Sequence, residues 1–378
     1  VWLLAGFVAV TLFAATRSTL WDRDEARFAE AASEMAADGN FLYPTFNGAL
    51  RPDKPALPYW IMAVAIRALG RTELAVRLGS CFAAALAAAA TAAAARRLLG
   101  RGAGFWSAAL LVSSPLFLLE ACAATADAML LASLAVAMFA SVRLVEERGR
   151  ARDAALFAAA VAAAALTKGP VGVLLPALGI AGTLAAGGPA IPARRRIAAA
   201  AAIALLAGAG AFALWFVPAN AATEGRYLAE GLGRHVIGRA LHPMEGHGGA
   251  LLRSLPYYVP VLLFGFAPGL LFLPGAASAA AGGRLGGPAG RAILVGWTVP
   301  AFLFFSLAAT KLPHYVLPVL PPLAIAAGGT IVADRGGALA PRDRTWLPRG
   351  AFLFLAVAVV EAAALGAVAR ALPFLRAP

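Results

Sequence analysis

The sequence predicts an all-α protein that crosses a membrane many times, and three observations carry that prediction. Hydrophobic residues make up 61% of the chain and charged residues only 13%, with a mean hydropathy of +0.78. The apolar residues gather into continuous runs, many of them near the roughly 20 residues a membrane-spanning helix requires, where barrel strands would alternate in segments of about ten. Basic residues collect in alternate connections between the runs, as loops retained on the cytoplasmic side do.

About eleven spans follow, over 1–16, 74–95, 103–119, 125–142, 154–167, 170–188, 197–217, 256–274, 292–309, 316–333 and 350–371. The run 1–16 has no small-residue cleavage site before the charged segment behind it, so it reads as a first helix and not as a signal peptide. The alanine-rich stretch 83–95 favours helix and lets neighbouring helices approach closely in lipid. The runs at 154 and 170 are short, which implies tilt or a break. Cys81 and Cys122 lie in apolar surroundings without metal-like spacing and read as small core residues.

The basic connections are Arg96, Arg97 and Arg101; Arg143, Arg148, Arg150 and Arg152; Arg194, Arg195 and Arg196; Arg284 and Arg291; and Arg335, Arg342, Arg344 and Arg349. With these on the cytoplasmic side, the loop after the first span (17–73), a turn near Glu120, Lys168, the 218–255 loop and Lys311 to Tyr315 share the outer face. The net charge of +13 follows from this topology and from affinity for anionic lipid. Nothing in the sequence calls for a nucleic-acid partner.

The chemistry is expected in the longest polar insertion, WDRDEARFAEAASEMAADGNFLYPTFNGALRPDKPALPYW, from Trp21 to Trp60. Over the first outer loop as a whole, eight basic residues from Arg17 to Arg77 are matched by eight acids from Asp22 to Glu73, a mixed-charge surface and not a topogenic patch. The spacing of Phe28, Ala31, Ala32 and Met35 predicts an amphipathic helix lying on the membrane, and residues 55–69 a second. Asp24 and Glu25 open the first helix, where acids also serve simply as dipole partners. The loop returns through Asn47 and Gly48 to Asp53 and Lys54, in a segment stiffened by Pro52, Pro55 and Pro58, which suits fixing a lysine in place.

Asp127, at the outer end of an apolar run, is costly in lipid unless it has a partner or a function. Lys168 in LTKGP and Lys311 in TKLPHY stand at other helix ends of the same layer, where a lysine either snorkels or serves a site. His314 and Tyr315 follow Lys311 in a rigid turn between prolines. His235, His242 and His247 share the 218–255 loop without zinc-finger or HExxH spacing. Hydrogen bonding explains them as well as metal binding, although one of them paired with Asp53 could hold a divalent ion.

LWDRDEARFAE, the DKP segment, TADAML, LTKGP, HVIGRALHPMEGHGG and TKLPHYVLP, in that order over nearly the whole chain, resemble the bacterial 4-amino-4-deoxy-L-arabinose transferase-like branch of the protein O-mannosyltransferase superfamily. These are membrane glycosyltransferases of family 39 with GT-C architecture. The resemblance implies a helical bundle whose first periplasmic loop forms juxtamembrane helices over a cavity. It implies transfer of a sugar from a polyprenyl (undecaprenyl) phosphate carrier to a lipid A-like or other envelope acceptor, at the periplasmic face of the bacterial inner membrane and with inversion.

On the same resemblance Asp24, Glu25 and Asp127 match the family's acidic residues, and Lys54, Arg239 and Tyr315 its groups around the carrier phosphate, joined by Lys311 and His314 of the same TKLPHY motif. It implies a possible divalent metal ion on Asp53 and His235, with His247 as the substitute, and no organic cofactor. Asp53 stands where the family commonly has a glutamate. Many relatives continue into a soluble outer domain, which residues 1–378 do not show, so the chain reads as one transmembrane domain. A transporter or flippase of lipid-linked sugars, an enzyme closer to the protein O-mannosyltransferases and an inactive scaffold are the competing readings.

Overall fold

The computed structural model describes residues 1–20, 23–238 and 254–371. Its described elements are helical except for one two-residue hairpin. Helix α1 (Trp2–Arg17) leads into α2 (Arg23–Asp38), the hairpin of β1 (Thr45–Phe46) and β2 (Ala49–Leu50), and α3 (Leu57–Leu69). The bundle continues through α4 (Glu73–Leu99), α5 (Arg101–Val112), α6 (Pro115–Ala121), α7 (Asp127–Glu146), α8 (Ala151–Lys168), α9 (Pro170–Gly187) and α10 (Arg194–Ala222). After a π-helical segment (Tyr227–Gly238) come α11 (Tyr258–Gly265), α12 (Ala267–Leu270), α13 (Leu273–Ala281), α14 (Gly287–Leu307), a 3-10 helix (Pro313–Val319), α15 (Leu320–Arg335), α16 (Pro341–Arg344) and α17 (Leu347–Ala371).

Among the described residues six helical segments are long and apolar enough to cross a membrane, or seven if α5 and α6 form one bent span. The expectation of eleven is not met on length and apolarity, for local reasons. Helix α1 has 16 residues, and α8 carries Arg152, Asp153 and Lys168 at its ends. The 103–119 run bends by 72° between α5 and α6, at Ser113, Ser114 and Pro115. Proline breaks the hydrogen-bond ladder there, and the Oγ atoms of Ser113 and Ser114 donate to the carbonyls of Ala109 and Leu110 at 2.8 and 2.6 Å, satisfying groups that lipid could not. The 256–274 run is cut into short helices by Pro260, Pro268 and Pro274 and by Gly265 and Gly269.

Helix α7 is the centre of the bundle, with 83% of its apolar window buried, whereas α10 has 22% buried and faces outward. Close approach elsewhere depends on small residues. A Cβ on Gly182 of α9 would sit 2.9 Å from the Gly296 Cα of α14, and one on Gly172 would meet the Ala164 carbonyl oxygen of α8 at 2.1 Å. At the arginine-rich end of the bundle Arg97 pairs with Glu146, and Arg284 with Asp343, which also accepts from the Ser278 Oγ. Those hydrogen bonds from Arg284 hold the Asp343 carboxyl below the usual carboxylate range.

The amphipathic face predicted for α2 is buried, with Phe28, Ala31, Ala32 and Met35 all under 5% exposed. It packs on protein, however, and not on lipid: Tyr59, Met62, Ala63 and Ile66 of α3 and Met129 of α7 share its cluster, and the Phe28 and Tyr59 rings stack 5.2 Å apart. An apolar stripe specifies burial without specifying the covering partner.

One fully buried ion pair fixes this layer. Arg77, in the second turn of α4, donates from Nε and Nη2 to the two carboxylate oxygens of Glu25 at 2.8 and 2.9 Å. It also donates to the carbonyls of Ala15, Ser18 and Thr19 at the end of α1, while Glu25 accepts from the Ala124 amide at 2.7 Å. Removing one member of such a pair strands the other in the interior, at about 3–5 kcal/mol. Glu25→Ala is expected to lower the thermal midpoint of the detergent-solubilised protein sharply, and Glu25→Met with Arg77→Met to recover part of the loss. An unchanged midpoint for Glu25→Ala in scanning fluorimetry would show that the pair does not hold the layer.

Candidate active site

The loop between α2 and α3 is built to hold its last residues still. Asn47 and Gly48 take φ values of 52° and 74°, the left-handed conformations of a tight hairpin turn. Glu34 of α2 ties that hairpin down by accepting from the Thr45 hydroxyl at 2.5 Å and from the Gly48 amide at 3.3 Å. The indoles of Trp60 and Trp215 donate to the carbonyls of Phe41 and Leu42. Arg51 is buried against the Phe28 and Phe46 rings, with its Nε on the Tyr59 hydroxyl at 3.2 Å and its Nη2 3.2 Å from Asp53 Oδ2. Burial pushes the Tyr59 hydroxyl up to about 12 against the pull of Arg51, so it stays a neutral phenol. Lys54 is thus presented from a fixed backbone.

Two adjoining cavities meet at Lys54. A polar cavity of about 360 Å³ is lined by Arg23, Asp24, Arg27, Arg51, Asp53, Lys54, Glu120, Asp127, Lys168, His314 and Tyr315, among others. An apolar groove of about 100 Å³ is lined by Val171, Phe212, Trp215, Phe216, Phe304 and Phe305, with other residues. Asp53, Lys54, Lys168, Thr310 and Tyr315 line both. Cationic and hydroxyl groups therefore stand where a greasy slot opens into a hydrophilic chamber.

Across the polar cavity from the first loop runs a row of alternating charge. Lys168 Nζ, at the end of α8, lies 2.5 Å from Asp127 Oδ1 at the start of α7 and 4.7 Å from the centre of the Tyr315 ring. His314 follows, with Nε2 3.7 Å from Asp127 Oδ2 and Nδ1 3.7 Å from Glu120 Oε1. Glu120 accepts from the Thr125 hydroxyl at 2.8 Å. Asp24, half exposed in the first turn of α2, lines the same cavity with Arg27 Nη1 at 3.5 Å.

The structure thus brings together Asp24, Asp127, Lys54, Asp53, His314 and Tyr315 of the residues expected from the sequence. It does not bring in two others. Glu25 turns away from Asp24 into the buried pair with Arg77, because adjacent residues on a helix face different ways. Lys311 is 2% exposed, and its ammonium donates to the carbonyls of Phe305, Ser306 and Ala308, closing the C-terminus of α14 instead of lining the cavity. Arg239 and His247 lie outside the described residues, as does the side chain of His235. For a metal ion, the Asp53 carboxylate is engaged by Arg51, and among the described residues no three His, Cys, Asp or Glu side chains gather into a metal-binding group.

Sequence reasoning left Lys168 open between snorkelling and serving a site, named Glu120 only as part of an outer turn and gave Arg51 no role. The signal for Lys168 was present, since a lysine closing one apolar run directly before Gly-Pro opens the next cannot reach far from the helix junction.

The fold is that of the GT-C membrane glycosyltransferases. It superposes on ArnT from Cupriavidus metallidurans, solved with undecaprenyl phosphate bound, with a TM-score of 0.78 and 25% identity, covering 97% of this chain and 64% of that one. Archaeal oligosaccharyltransferase AglB from Archaeoglobus fulgidus shares the fold alone, with a TM-score of 0.58 and 11% identity over 95% of this chain and 55% of that one. Residues 53–217 match the family of dolichyl-phosphate-mannose-protein mannosyltransferases. The undecaprenyl phosphate-alpha-4-amino-4-deoxy-L-arabinose arabinosyl transferase of Edwardsiella ictaluri is 32% identical over 320 residues, 82% of this chain and 55% of the relative. The second such transferase of Proteus mirabilis is 30% identical over 327 residues, 84% and 57% respectively. Residues 53–217 thus resemble this mannosyltransferase family, and most of the chain resembles the aminoarabinosyl transferases. The chain spans a little over half the length of these curated relatives.

The contrast between the two lysines is measurable. Hydrogen bonds from a charged group contribute about 1.5–3 kcal/mol each, so Lys311→Met is expected to lower the thermal midpoint by fraying the end of α14. A midpoint equal to that of the wild type would remove the capping role.

Proposed function

We propose that the chain is an integral-membrane glycosyltransferase that moves a sugar from an undecaprenyl-phosphate-type carrier to a lipid A-like or other envelope acceptor. The observation that carries this reading is the junction of the two cavities at Lys54, Lys168 and Tyr315. A polyprenyl phosphate sugar has three parts, and each finds its complement. The prenyl units nearest the phosphate lie in the apolar groove, the phosphate meets the two ammonium groups and the phenol, and the sugar projects into the polar cavity. The aminoarabinosyl transferases named above, and the ArnT structure with its bound carrier, support the same assignment.

In this mechanism Lys54 and Lys168 stabilise the charge that builds on phosphate as the glycosidic bond breaks. Asp127 acts through Lys168, whose ammonium it holds in place. Asp24 takes the proton of a hydroxyl acceptor as general base, or stabilises positive character at the anomeric carbon when the acceptor is already an anion. Attack opposite the departing phosphate inverts the anomeric centre. No step here is routed through a metal. The arginine-rich loops, read as cytoplasmic, support a periplasmic position for the cavities. With the bent α5–α6 pair, helices α1, α8 and α17 and the broken 256–274 run complete the proposed crossings, bringing them to about eleven.

Lys54→Ala is expected to weaken carrier-dependent transfer about 10- to 100-fold, on the strength of one charged hydrogen bond. Asp24→Asn should cost about 10²- to 10⁴-fold in kcat with an acceptor that must lose a proton. The assay is transfer from radiolabelled undecaprenyl phosphate sugars by protein in nanodiscs, with lipid A and an envelope extract as acceptors. Transfer unaffected by either substitution, or carrier movement without transfer, would overturn the reading and favour a flippase.

A further inference from the structure

His314 is unused in the mechanism above, yet its position is specific. Its two ring nitrogens each face a carboxylate at 3.7 Å, Glu120 from α6 on one side and Asp127 from α7 on the other. At that separation neither contact is a direct hydrogen bond, so a small closure or one bridging water completes each. A neutral imidazole has one N–H and can serve one of these acids, whereas an imidazolium serves both. The other charges that reach it are Lys168 of α8, Lys54 of the first loop and Asp24 of α2, and Tyr315 packs on its ring 5.1 Å away. The ring lines the same polar cavity as Asp24.

The proposed reaction leaves a proton that this arrangement can receive. Transfer to a hydroxyl breaks the bond from the anomeric carbon to the phosphate oxygen, which leaves with the electron pair, and forms a bond from that carbon to the acceptor oxygen. The acceptor's proton passes to Asp24. The carrier departs as a phosphomonoester whose second pKa is about 6, so near neutral pH the proton stays largely with the protein. Asp24 must lose it before the next turnover.

We infer that His314 takes this proton from Asp24 through water in the cavity, and that Glu120 and Asp127 hold the resulting imidazolium until it is released to solvent. The inference rests on the functional reading above and narrows it, because it makes the acceptor a hydroxyl. His314 is a proton-handling residue that acts through Asp24, and Glu120 a positioning residue for it. Neither replaces the carrier-binding groups.

The test is the pH profile of kcat at saturating donor and acceptor, for wild type, His314→Gln, His314→Ala and Glu120→Gln in nanodiscs. Wild-type activity should rise through an acid limb as His314 loses its proton. His314→Gln should lose that limb and fall about a hundredfold in kcat, with the donor KM unchanged, and added imidazole should restore His314→Ala. Glu120→Gln removes an anion beside the ring, so its acid limb should move to lower pH by roughly one unit. A His314→Gln profile parallel to the wild type, a defect confined to KM, or no rescue by imidazole would overturn the inference, and the first is what a phosphate acceptor would give. If His314→Gln does not fold, the sign of the Glu120→Gln shift decides. Lys54→Ala in the same assay reports separately on the carrier: transfer unaffected by that change sinks the functional reading itself.

Discussion

The buried pair of Arg77 and Glu25 is the constraint on which the outer layer depends. Five groups converge on one guanidinium: the Glu25 carboxylate, three carbonyls at the end of α1 and the Ser18 hydroxyl. Through them α1, α2 and α4 are referenced to a single point, and the Ala124 amide on Glu25 adds the approach to α7. Asp24 is the neighbour of Glu25 in the chain, so its direction into the cavity is inherited from that lock. Replacing such a pair by apolar residues is often neutral or stabilising, so its consequence here is geometric: it fixes the direction of the Asp24 carboxylate.

The lysines of the site show how context assigns a role to one side-chain type. Lys54 is held by a proline-stiffened return, Lys168 ends a helix beside a carboxylate and an aromatic ring, and Lys311 folds back on the carbonyls of the helix it follows. All three stand near the same end of the bundle. Only the local partners distinguish a cation facing a cavity from one that closes a helix.

This distinction marks how much could be read from the chain. Helix positions were legible because apolar runs and arginine-rich connections are composition, and composition survives without knowledge of contacts. The Phe28, Ala31, Ala32 and Met35 face was legible as a face, while its partners on α3 and α7 were not, since periodicity does not name what covers it. Asp24, Asp127, Lys54, His314 and Tyr315 were found through motif order, and they meet at one cavity. Glu25 and Lys311 were misplaced because each lies within two residues of a cavity-lining residue, and sequence adjacency says nothing about side-chain direction. The count of crossings suffered for a related reason: Ser113, Ser114 and Pro115 turn one apolar run into two helices without altering its hydropathy.

The row from Glu120 through His314 and Asp127 to Lys168 draws its members from α6, α7, α8 and, much later in the chain, the 3-10 helix after α14, and this bears on biogenesis. Helices enter a membrane in the order of synthesis, so α7 arrives with the Asp127 carboxylate before any counter-charge of the row exists. Lys168 follows only 41 residues later, on the next helix, and α7 and α8 can insert as a mutually neutralised hairpin. His314 and Tyr315 are made only after α9 to α14. The chamber is therefore charge-shielded early, while the part of its wall that His314 and Tyr315 supply is added only after α14.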